Sequence, residues 1–497
     1  MTDKLETASH PEGLRRVAID PVSRVEGHGK VTLLLDENDR VHQVRLHIVE
    51  FRGFEKFVQG RPYWEAPVMV QRLCGICPVS HHIAASKAMD QIVGATLTPT
   101  AEQVRRLMHY GQILQSHALH FFHLCSPDLL FGFDSDVTRR NIAGVAAQYP
   151  DIARQGVLLR KFGQEVIRIT AGKRIHGTGS IPGGVNKNVS LSERDYLLQE
   201  IEQVIAWSRE AVGIARHLFE QNLDLYNNFG RFDTHTLNLV REDGALDLYH
   251  GGLRARDKDG NTLFDHYDYG HYWDAIYEDV KPWSYMKFPF LRSLGPEHGW
   301  YRVGPLTRVT QCDFIPTPLA DEARREFLAF DGGNAAGATL GYHWARMIEL
   351  LHAAETIEEL LHDTELQGND LVNTGRRQER GVGVIEAPRG TLIHHYKVDE
   401  HDQITRCNLI VSTTHNNQAM NEAIRAVARQ YLDGHKITEG LLNHIEVAIR
   451  AFDPCLSCAT HALGKMPLQV ELFDAAGDML SSLSRAGDGT FSCASGS

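Results

Sequence analysis

Two Cys-x-x-Cys pairs stand at opposite ends of the chain: Cys74 and Cys77 in RLCGICPVSHH, and Cys455 and Cys458 in DPCLSCATH. A turn of this length brings both sulfurs of a pair to one side. Two pairs together make a soft, four-thiolate site. Spacing alone leaves a structural zinc as an open reading of that site. Small zinc modules are closed locally, so that the metal folds a short unit. Here more than three hundred residues separate the pairs, and a large core has little need of such a staple. Titratable neighbours crowd the site as well. His81 follows the first pair, His461 follows the second, and Asp453-Pro454 precedes it. That setting points to catalysis.

Closing the site requires the whole fold, so the elements between the pairs matter. The pattern predicts strands at 31–35 and 41–50, with a turn-rich DENDR between them. Helices are expected at 80–95, from 101 to 124 before Ser126-Pro127, and from the capping box Ser190-Leu-Ser-Glu193 to about 226. Further helices are expected at 335–362, 417–433 and 438–451, and strands from 381 to 412 around a turn at EHDQ. This is an α+β chain, mainly α, with a long-helix bundle core and small peripheral sheets. Residues 230–310 are rich in Asp, Gly, Tyr and Trp and read as a surface insertion. The last thirty residues read as a hairpin followed by a loose Gly/Ser tail.

Composition narrows the function. The 497 residues carry a net charge of −12 without a basic run, which argues against nucleic acid and anionic membranes as partners. MTDKLETASHPEG has no apolar core, so no signal peptide is expected, and no apolar stretch is long enough to span a bilayer. With eight cysteines in so long a chain, metal binding or reduced thiols are expected rather than a disulfide framework.

The segments between the pairs carry a family resemblance. Arg72-Leu-Cys74-Gly-Ile-Cys77 and the run from Asp453 to His461 resemble the two cysteine motifs of nickel–iron hydrogenase large subunits. VSRVEGHG (22–29), FRGFE (51–55), HGTGSIPGGV (176–185), EAPRG (386–390) and STTHNN (412–417) match further family segments in the right order. The resemblance spans residues 18–461 and implies one large-subunit domain over 1–461.

The resemblance implies a nickel–iron centre with carbon monoxide and cyanide on the iron. Cys74 and Cys455 would bind nickel alone, and Cys77 and Cys458 would bridge to iron. Dihydrogen would be split heterolytically, Cys455 taking the proton first and Glu26 passing it on. Arg389, with Pro388 and Thr413 beside it, would lie over the iron's diatomic ligands, and Asp453 would fix Arg389. His81 would be a further donor near the pocket. Glu55, a backbone carbonyl near Leu409, and His461 would hold magnesium. Family members are cut after this histidine, so 462–497 would be an extension removed by a maturation protease.

Two features depart from the family pattern. Ser116 stands where an Asp is common, and the tail is long, with Cys493 unassigned. His117, His120 and His123 share a helix and read as packing or supporting residues rather than a metal site.

The wording of both cysteine motifs resembles cytoplasmic, NAD-reducing enzymes. The chain has no dinucleotide fingerprint and no spare cysteine cluster. Electrons would therefore leave through an iron–sulfur small subunit to diaphorase subunits carrying FMN and binding NAD. Other readings are a deazaflavin-coupled or other-acceptor cytoplasmic hydrogenase, a metal-free complex I-like subunit, and a structural zinc protein. The four cysteines argue against the complex I-like reading.

Overall fold

The computed structural model describes residues 14–51 and 53–460, together with the backbone of three strands beyond them, Leu468–Phe473, Met479–Arg485 and Phe491–Ser495. His461 and the side chain of Cys493 lie outside the described residues.

Long helices form the centre. Pro99–Leu119 starts at Thr98, whose hydroxyl accepts the Ala101 N–H, with Pro99 in the first turn. Leu191–Gln221 starts at the predicted capping box, with Ser190 and Glu193 satisfying each other's backbone N–H. Pro150–Ala171, Gly341–Leu361, Asn417–Val427 and Glu439–Ala451 complete the bundle. Its interior is the largest apolar cluster of the described residues.

A second cluster lies against the sheet Arg380–Ala387, Gly390–Val398 and Ile404–Ile410, and all four motif cysteines belong to it. The helix Pro78–Val93 packs directly on this sheet. A Cβ at Gly383 would lie 2.0 Å from the Ala84 carbonyl oxygen, and one at Gly381 would lie 1.9 Å from that of Ala88. Only glycine permits this approach, and the approach sets where Cys77, at the start of that helix, must sit.

Three expectations change. The helix expected to end before Ser126-Pro127 runs through a π-helical turn, His120–Cys125, into Ser126–Phe131. Pro127 falls in the first turn of that continuation, where its missing N–H costs nothing. Residues 230–310 are superficial only in part. Thr262–Tyr267 is largely exposed, but Leu237, Leu239 and Leu253 are fully buried against the 380–410 sheet. Their apolar faces outweigh the polar composition that suggested an insertion. In the tail, the expected loose segment contains Phe491–Ser495, which pairs antiparallel with Met479–Arg485.

Candidate metal centre

The fold brings the two cysteine pairs together. The four sulfurs lie within 4.8 Å of one another, and all four residues are buried. Cys455 Sγ is 3.3 Å from Cys74 Sγ and 2.7 Å from Cys458 Sγ, while Cys77 Sγ is 3.9 Å from Cys458 Sγ. All seven cysteines with described side chains are free thiols. Burial pushes the Cys455 and Cys458 thiols well up. Cys77 is held down at about 6 by hydrogen bonds from Cys455 and Cys458, and it stands at a helix N-terminus, which favours a thiolate. Sulfurs this close hold protons as a group, and a soft cation displaces them.

A chain crossing builds the site. Glu26 forms a parallel bridge with Cys455, and the Leu456 N–H donates to the Glu26 carbonyl at 2.9 Å. Gly27 makes the crossing possible, with φ +82° and a virtual Cβ 2.6 Å from Ser457 N. The Glu26 carboxylate is 3.0 Å from Cys455 Sγ and accepts the Ser457 N–H at 3.1 Å. Arg24 is engaged elsewhere, with Asp128 at 2.6 Å and the Leu124 carbonyl at 2.7 Å, so it is not the partner of Glu26.

A narrow cavity lies beside the sulfurs, lined by Cys77, Cys455, Ser80, His81, Pro388, Arg389 and Thr413 among others. Arg389 Nε donates to the Asp453 carbonyl at 2.6 Å and Nη2 to its carboxylate at 3.1 Å. Burial opposes the guanidinium charge, but Asp453 and the neighbouring sulfurs outweigh it. Arg389 Nη1 and Ser80 Oγ are buried without a partner. Thr413 Oγ1 accepts the Cys455 N–H at 2.9 Å, which leaves its own proton to donate. Donors left over around a buried cavity suit a metal carrying anionic, hydrogen-bond-accepting ligands.

Glu55 and Leu409 also meet, through the Leu409 N–H at 2.8 Å. Lys287, which the sequence did not single out, faces the same carboxylate. Its ammonium lies 3.1 Å from Glu55, 3.3 Å from Glu278 and 3.2 Å from Asn408 Oδ1. Oxygen donors therefore converge on one positive charge there.

The helix histidines separate. His117 pairs with Glu349 at 3.0 Å, and Glu349 with Arg308 at 2.6 Å. His120, with Cys125 and His343, forms a second group of close ligand atoms. His123 is not part of that group, and Ser116 Oγ is buried without a partner. Arg308 joins Glu349 to Glu386 at 2.9 Å. Glu386 opens the EAPRG segment, but nothing near it pointed to Arg308, Glu349 or His117, which are scattered along the chain.

With this geometry in view, known proteins give the class. A nickel-dependent hydrogenase family model matches residues 52–134 and 215–461, and a HoxL-like model matches 16–51. The chain belongs to the nickel-dependent hydrogenase family. Among particular relatives, it is 50% identical to the NAD-reducing hydrogenase HoxS subunit beta of Cupriavidus necator, over 95% of this chain and 100% of that protein. It is 42% identical to an F420-non-reducing hydrogenase chain of Methanothermobacter thermautotrophicus, over 94% and 99%. The crystal structure of an NAD+-reducing [NiFe]-hydrogenase in the H2-reduced state superposes with TM-score 0.89 at 60% identity, over 90% of this chain and 99% of that one. A Dm. baculatum [NiFeSe]-hydrogenase shares the fold at TM-score 0.73 and 23% identity, over 90% and 100%.

Proposed function

We propose that this chain is the dihydrogen-activating subunit of an enzyme that delivers electrons to NAD. The observation that carries the reading is the four-sulfur cluster with the Glu26 carboxylate 3.0 Å from Cys455. Cys74, Cys77, Cys455 and Cys458 would hold a nickel–iron centre. When bound, that centre supplies the heterolytic cleavage of dihydrogen.

The protein's part is proton handling and ligand fixation. Cys455 accepts a proton at Sγ and passes it to Glu26 Oε2, which the Ser457 N–H keeps in place. Arg389, tied to Asp453, would offer Nη1 to the carbon monoxide and cyanide that such a centre carries, with Ser80, Thr413 and His81 as further donors beside Pro388. Glu55 fits a hard cation such as magnesium. Glu278 and Asn408 bring further oxygens to the Lys287 ammonium beside it, a positive charge whose place the cation would take, and the Leu409 C=O leaves the strand on the same side as the N–H that reaches Glu55. His461 would complete that site, and removal of 462–497 by a maturation protease would free it.

Electrons would leave through an iron–sulfur small subunit to flavin-bearing, NAD-binding subunits in the cytoplasm. Phe51, Phe57, Trp64 and Val68 are exposed in the stretch just before Cys74, which suits an apolar subunit interface close to the metals. No helix among the described residues is long and apolar enough to cross a membrane.

The test is NADH formation under dihydrogen by the purified complex, with mass spectrometry of this chain. NADH formed, and a chain ending at His461, are expected. Reduction of an artificial dye without NADH would overturn the acceptor. An active complex with an intact Ser497 end would overturn the processing step.

A further inference from the structure

A hydrogen-bonded chain runs from the cavity into the 380–410 sheet. His81 Nδ1 is 3.1 Å from His394 Nε2, and His394 Nδ1 is 2.8 Å from the Tyr396 hydroxyl. All three residues are buried. His81 lies one turn into the helix that begins after Cys77. His394 and Tyr396 are two apart on the strand Gly390–Val398, so their side chains leave the same face. Cys407 is the cross-strand partner of Tyr396, and its sulfur is the phenol's other neighbour.

The chain has a direction. The phenol carries one proton, and its two neighbours are an imidazole nitrogen, a good acceptor, and a sulfur, a poor one. The proton therefore goes to His394 Nδ1. That places the His394 proton on Nε2, which donates to His81 Nδ1. With Nδ1 accepting, the His81 ring carries its proton on Nε2, the nitrogen left for the cavity it lines. The reverse order would give the phenol proton to sulfur and leave His81 an acceptor beside the cavity.

We propose that Tyr396 and His394 are positioning residues that fix His81 as the Nε2–H tautomer, so that it donates a hydrogen bond into the metal cavity. This rests on the nickel–iron reading of that cavity. A fixed donor there strengthens the hold on a sulfur or an iron-bound anion and tunes the electron density of the centre.

The test compares Tyr396→Phe, His394→Gln and His394→Leu in the complete purified complex. The readouts are the infrared stretches of the iron-bound diatomics, nickel content and dihydrogen oxidation. Glutamine preserves the polarity, since its carbonyl accepts from Tyr396 and its amide donates to His81. H394Q is therefore expected to keep the wild-type bands. Y396F and H394L are expected to shift them and to lower turnover by about 10- to 100-fold at wild-type nickel content. Bands unmoved in Y396F, which is nearly isosteric and keeps the fold, would overturn the proposal. So would H394Q bands displaced as in H394L. A wild-type complex without such bands would overturn the nickel–iron reading itself and this proposal with it.

Discussion

The four cysteine sulfurs differ in what surrounds them. Cys74 Sγ receives two backbone N–H groups, from Ile76 and Cys77, each at 3.2 Å, an arrangement that supports a standing negative charge. Cys455 Sγ instead faces the Glu26 carboxylate, an arrangement that shares a proton. The sulfurs of Cys74 and Cys455 are thus unequal, one suited to hold charge and the other to exchange a proton. Glu26→Gln should keep nickel and the fold yet lower dihydrogen oxidation by about 100-fold or more. Wild-type turnover in that variant, measured at matched nickel content, would remove Glu26 from the path. At this scale the sequence was most legible where chemistry is concentrated in short motifs. The two cysteine pairs could be read from their own spacing, and Glu26, Arg389 and Asp453 through the family resemblance of the motifs that hold them. Lys287 could not, because its partners Glu55, Glu278 and Asn408 meet only through the fold. The His394-x-Tyr396 spacing on a predicted strand was a usable signal that two polar side chains share a buried face.

Among the elements, the helix Pro78–Val93 and the sheet beneath it decide where Cys77 stands. Gly383→Ala would drive a methyl group into the Ala84 carbonyl. The helix must then lift or the strand must bend, at a cost of about 1–3 kcal/mol. We expect a lower melting temperature and reduced nickel content in the purified protein; neither changing would show that the contact is slack. Element starts were legible because caps are local, as at Thr98 and Ser190. Continuation was not. Nothing near Pro127 announced that a π-helical turn would carry the chain onward. Likewise the polar composition of 230–310 hid buried positions such as Leu237 and Leu239, whose partners are remote strands.

For the molecule as a whole, burial of neutral histidines sets the response to acid. Burial pushes His82, His117 and His352 down to about 4, and His109, His343 and His415 to about 3. The unfolded chain takes up these protons near pH 6.5, whereas the folded chain resists until about pH 4 or 3. Stability is therefore fully present above pH 6.5 and lost as pH falls through that window, by up to about 1.4 kcal/mol per histidine per pH unit. Thermal unfolding of the complex should show a clearly lower midpoint at pH 5 than at pH 7, and equal midpoints would contradict the burial of these rings as neutral groups. The large distance between the cysteine pairs takes its meaning at the same scale, since the bundle, the sheet and the Glu26–Cys455 crossing must form before four sulfurs meet. The most direct test of that meeting point is metal analysis of the purified complex together with its infrared spectrum. The account predicts one nickel bound by this chain, with iron, and bands from metal-bound carbon monoxide and cyanide. Zinc alone, with no such bands, would contradict it.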